Sequence, residues 1–111
     1  MNIIGEIKEN LKIEIRPNSI GTEYLEAVVD KSELESLQMR LTKHLGPAAK
    51  RPGEEVTLPR EIQEIVDDLG GLRIEQSFFC KQVGTTVFYA ALWPWTSNPD
   101  KITLKSGVIE L

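Results

Sequence analysis

The segment Trp93-Pro94-Trp95 holds the residue types in this chain best suited to recognition. Proline removes a ladder donor, so a strand ends there, and the polar run TSNPD that follows marks a turn. Indoles combine a large contact area with a hydrogen-bond donor, which is why tryptophan anchors so many binding surfaces. The pattern assigns Trp93 to closing the end of the core and Trp95 to a surface that meets a partner. A second candidate is the pair Lys50 and Arg51 on a loop punctuated by Pro47, Pro52 and Gly53. These cations suit an anionic ligand or partner, and solvation in a loop is the competing account. No phosphate-cradling or dinucleotide glycine pattern accompanies them.

The residues that most often carry catalysis are few and dispersed. His44 is the only histidine and sits beside Leu45 on the border of an apolar helical stripe, which reads as a helix-end cation. Cys80 shares a strand face with Phe78, while Lys81 points to the opposite face, so the thiol reads as a small buried hydrophobe rather than an activated nucleophile. Glu61, Glu64, Asp67 and Asp68 crowd one side of a helix, and the last two oppose its dipole. Relief by a nearby lysine or arginine is expected there, because carboxylates without a ligand loop are a weak cation signal. No catalytic residue, metal ligand set or cofactor motif is assigned.

Charge and composition narrow the partners. A net charge of −4 and a pI near 5.0 argue against phosphate-backbone binding, so nucleic acid is not expected. One cysteine makes no internal disulfide, which fits a reducing compartment. The opening MNIIGEIKENLKIEIR breaks its apolar residues with charges, so neither a signal peptide nor a membrane span is expected, and the location expected is cytoplasmic. Charge is also segregated: Arg40 to Arg51 holds four basic residues and no acidic one, whereas Glu54 to Asp68 holds six acidic residues and one basic.

The elements that must position these residues follow from periodicity. Residues 3–11 suit either a helix or a short strand. Strict alternation of Leu11, Ile13 and Ile15 with Lys12, Glu14 and Arg16 predicts a strand, and TEYLEAVV predicts its hairpin partner beyond the turn PNSIG. Ser32 and Glu35 form a capping-box pattern at the start of a helix carrying Leu34, Leu37, Leu41 and Leu45, which Gly46-Pro47 ends. A second helix opens near Pro59 with Leu58, Ile62, Ile65, Val66 and Leu69 on one stripe, and stops at Gly70-Gly71. Strands are then expected over LRIEQSFFCK, VGTTVFYAALW and KITLK, with Ser106-Gly107 a bulge or a tight turn before VIEL.

Strands clustered in hairpins predict one α+β domain over residues 1–111, a two-layer sandwich. Its expected architecture is a mostly antiparallel sheet of about five strands with both amphipathic helices packed on one face. The function expected is that of a small soluble binding or accessory protein acting through protein contacts or self-association. The alternative is a small-ligand binder or enzyme whose site assembles only in three dimensions. Lys101 and Lys105 are expected to guard a sheet edge.

Overall fold

Alternation sets the strands of this chain and 3.6-residue periodicity its helices. The computed structural model describes residues 3–111. In chain order the elements are α1 (Ile3–Asn10), β1 (Ile13–Ile15), β2 (Tyr24–Asp30), α2 (Leu34–Leu45), α3 (Arg60–Asp68), β3 (Ser77–Val83), β4 (Thr86–Pro94) and β5 (Lys101–Glu110). The strands form one five-stranded antiparallel sheet in the order β1-β2-β5-β4-β3.

β5 is the spine of this sheet. It pairs with β4 from Thr86↔Glu110 to Pro94↔Ile102, and with β2 from Tyr24↔Gly107 to Asp30↔Lys101. Register runs unbroken through Ser106-Gly107, so neither a bulge nor a terminal hairpin forms there. Gly107 is required by close approach: a Cβ added to it would lie 2.5 Å from the Tyr89 hydroxyl. Lys101 and Lys105 therefore stand at the centre of the sheet, not at an edge; the edges are β1 and β3.

The helices cover both faces of the sheet rather than one. Leu25, Ala27, Val29, Ala90, Leu92, Ile102 and Leu104 pack with Ile3, Ile4 and Ile7 of α1 and with Leu37, Leu41 and Leu45 of α2. Residues of opposite parity, among them Phe78, Val87, Tyr89 and Ala91, pack with Ile62, Ile65 and Val66 of α3. The physical cause is β4, whose run Val87 to Trp93 is apolar on both sides, and a strand apolar on both sides needs cover on both. The core expected to be shared by α2 and α3 is therefore two cores separated by the sheet.

Of the two readings open for residues 3–11, the helix forms over residues 3–10, with Ile3, Ile4 and Ile7 buried. Two element starts differ from the sequence reading. The chain enters α2 through a 3₁₀ turn, Lys31–Glu33, capped by Asp30, whose Oδ1 accepts the Ser32 N–H at 3.0 Å. The extended backbone of Asp30 at the end of β2 aims its carboxylate at that turn, and the Ser32–Glu35 capping box does not form because α2 begins only at Leu34, with no side-chain bond from Glu33. Finally, residues 72–76 are not strand: the Gln76 N–H donates to the Arg73 carbonyl, closing a turn that leaves Ile74 49% exposed.

Candidate functional site

The two indoles come to one place because the extended backbone of β4 does not stop at Pro94. The Trp95 N–H donates to the Lys101 carbonyl at 3.0 Å, continuing the pairing with β5. Side chains two apart on an extended chain share a side. Trp93 and Trp95, both half-buried, therefore line one groove of about 350 Å³, and Trp93 also packs against the α3-side core. The Trp95 indole N–H donates to Thr103 Oγ1 at 2.8 Å, which fixes the ring over β5.

Lys105 forms the groove's floor beside them. Its ammonium lies 4.8 Å from the Trp93 ring centre, 4.0 Å from the Glu26 carboxylate, and donates to the Leu69 carbonyl at 3.2 Å. That last bond brings a cation to the C-terminal end of α3, which is the relief that Asp67 and Asp68 call for there. Glu26 in turn accepts from Tyr24 Oη at 2.9 Å and from Asn18 Nδ2 at 3.1 Å. Burial first, and then this bond to Glu26, push the Tyr24 phenol above its ordinary range.

The remaining wall comes from the turn before β3. Gln76 is 1% exposed and its Oε1 accepts the Arg73 N–H, while its Nε2 has no hydrogen-bond partner. A buried donor left unpaired costs about 1–3 kcal/mol, and at this burial the amide is sealed behind the wall rather than presented to the groove. Arg73 is exposed and, among the described residues, its guanidinium makes no ion pair or hydrogen bond. Sequence reasoning missed Arg73, Gln76, Thr103 and Lys105. The alternation of KITLK does place Thr103 and Lys105 on one face, but nothing in Gln76's neighbourhood distinguishes it from a surface glutamine.

The other candidates lie elsewhere. Lys50 is not a solvated loop cation: it is 4% exposed, and its ammonium donates to the carbonyls of Arg51, Ile74 and Gln76 at 3.2, 3.0 and 2.6 Å. The loop is drawn inward by a bridge between Lys50 and Phe78, which buries the side chain beneath residues 74–76. Lys50 lines a larger hollow of about 570 Å³ with Leu58, Val66 and Leu72, but its three donors are already engaged. Arg51 is exposed, and its N–H donates to Glu54 Oε1 at 2.9 Å. His44 and Arg40 both contact the Glu6 carboxylate, the latter at 3.1 Å, tying α2 to α1. Burial pushes the Cys80 thiol up, away from thiolate chemistry.

Among the described residues, no group of three or more His, Cys, Asp and Glu side chains could hold a metal ion, and no helix is long and apolar enough to cross a membrane. The fold and groove thus define an antiparallel α+β protein with a tryptophan-lined groove between α3 and the central strands. No protein-family model matches this chain, and no curated protein or solved structure does either.

Proposed function

We propose that this chain is a small cytoplasmic binding protein that takes a segment of a partner protein into the Trp93–Trp95 groove. The observation that carries this reading is the convergence, in one groove, of two half-buried indoles with the exposed guanidinium of Arg73, which is unpaired among the described residues. Aromatic anchors beside a few directed polar groups are the usual composition of a recognition hot spot. The pair is also stiffly held, by Pro94 between the rings and by the Thr103 bond, so little side-chain entropy is lost on association.

The test uses Trp95→Ala. The wild-type protein is expected to capture a partner from its native cell, and the purified partner to bind it directly in a defined stoichiometry. The variant is expected to lose that binding while keeping a cooperative unfolding transition. Undiminished binding by the variant would remove the groove from the function. A second reading, a small-molecule site, is favoured by the groove volume of about 350 Å³, which lies within the range of ligand pockets. A low-molecular-weight compound co-purifying with the protein, and absent from Trp95→Ala, would select it.

A further inference from the structure

We propose that the outer edge of β3 takes an extended segment of another protein as a further strand, with an acidic residue opposite Lys81 and an apolar one opposite Val83. No residue of this edge lines the Trp93–Trp95 groove, so the inference stands apart from that reading.

Backbone geometry makes the edge available. β3 ends the sheet, and its antiparallel pairing with β4 uses the N–H and carbonyl groups of alternate residues only. Phe78 turns its groups outward: its N–H donates to the Lys50 carbonyl at 3.0 Å, and its carbonyl accepts the N–H groups of Ala49 and Lys50 at 2.8 and 3.2 Å. Cys80 and Gln82 turn theirs the same way and find no backbone partner on that side among the described residues. The chain thus adds one antiparallel bridge of its own at Phe78 and leaves the rest of the edge unmatched. A guest strand that continues this line runs antiparallel to β3 and exchanges backbone bonds with Cys80 and Gln82.

Side chains then select the guest. Lys81 stands between those two positions, exposed, with Phe88 rather than a carboxylate across from it on β4, and its ammonium has no partner among the described residues. Directly opposed residues of neighbouring strands attract when opposite in charge and repel when alike. A second copy pairing two-fold symmetrically here would bring Lys81 against Lys81, so the same side chain that disfavours a copy favours a strand carrying an acid. Val83 shares the Lys81 side of the strand, is 55% exposed and lies diagonal to the partly buried Phe88. An apolar side chain opposite Val83 covers that exposed surface. Read from its N-terminus, the guest therefore carries an apolar residue opposite Val83, a strand former opposite Gln82, an acid opposite Lys81 and a strand former opposite Cys80.

The experiment follows the backbone amide signals of the isotope-labelled full chain by two-dimensional NMR during titration. The probes are acetyl-Thr-Val-Thr-Glu-Thr-amide, its counterpart with Lys for Glu, and the Glu peptide N-methylated at the central Thr, whose N–H would face Gln82. The Glu peptide is expected to shift the Cys80 and Gln82 amides saturably. It is expected to bind about tenfold more tightly than the Lys peptide, because one opposed pair changes from attraction to repulsion. Lys81→Glu, at an exposed position, is expected to reverse that preference, and N-methylation to abolish binding. Absence of saturable binding by the Glu peptide, equal binding of the Glu and Lys peptides, a preference that survives Lys81→Glu, or undiminished binding of the N-methylated peptide would each overturn the proposal. So would a wild-type chain whose Cys80 and Gln82 amides shift with its own concentration, which would give the edge to a second copy. Trp95→Ala is expected to bind the Glu peptide as the wild type does, so this inference and the groove reading stand or fall separately.

Discussion

Asp30 shows how one carboxylate can serve two elements. It ends β2 and caps the turn into α2, and the Ser32 N–H together with Lys101, 3.4 Å away, holds its carboxyl below the ordinary value of 3.8. A depressed native pKa means stability that is present above the unfolded pKa and lost as pH falls through the native one. Asp30→Ala is therefore expected to lower the denaturation midpoint at neutral pH, with the difference from wild type shrinking below about pH 3.8. Ser32→Ala should cost less than Asp30→Ala, since it removes only the hydroxyl's bond to the Asp30 carboxylate and keeps the capped backbone N–H. Urea titrations of both variants at pH 7 and pH 3 decide between the two capping arrangements. Lys50 offers a second case: Lys50→Met keeps the stem but strands three carbonyls, and a loss of about 1.5–3 kcal/mol is expected from removing charged hydrogen bonds. Calorimetry at neutral pH measures it, and a neutral result would mean that the carbonyls reach water instead. Neither fact was legible beforehand. An aspartate at a strand end and a lysine between alanine and arginine look like ordinary surface residues, because beyond their neighbours Ser32 and Arg51 the partners that hold them, Lys101 on β5 and the carbonyls of Ile74 and Gln76, lie far along the chain.

Periodicity carried the elements further than it carried their arrangement. The stripes of α2 and α3 were plain in the leucine and isoleucine spacing, and Leu37, Leu41, Ile62 and Ile65 are buried as expected. Which face each helix covers was encoded only in β4, whose unbroken apolar run from Val87 to Leu92 is the mark of a strand covered on both sides. Residues 72–76 misled for a related reason: Leu72 and Ile74 keep a two-residue spacing, yet Gln76 bonds back to Arg73 and closes a turn instead of a ladder. The arrangement of the helices has a thermodynamic signature. Leu41→Ala is expected to cost about 2–5 kcal/mol and Ile65→Val about 0.5–1.5 kcal/mol. Because the two side chains belong to cores on opposite faces of the sheet, the double variant should equal the sum within about 0.5 kcal/mol. Denaturant unfolding of the four proteins measures this, and a clear departure from additivity would place both side chains in one core.

The molecule as a whole presents two sheet edges, and they are unequal. β1 is three residues long, whereas β3 runs for seven. Phe78 gives both its N–H and its carbonyl to Lys50, so the first outward position of β3 is already paired. Alternate residues of a strand turn their backbone groups to the same side, which leaves Cys80 and Gln82 facing outward as a short template for another strand. A second copy pairing antiparallel and two-fold symmetric there would set Cys80 against Gln82 of its mate, and Lys81 directly against Lys81. Like charges in opposed positions destabilise such a pair, so Lys81, exposed on this edge, acts as its guard. Lys81→Thr removes the charge and keeps a residue suited to a strand. The variant is expected to self-associate more strongly than wild type, seen as a higher weight-average mass in sedimentation equilibrium at high protein concentration. Added salt should narrow the gap between the two proteins, because screening weakens the repulsion that only the wild type carries. Identical masses for both proteins across concentration and salt would show that β3 is not the edge through which copies of this chain meet.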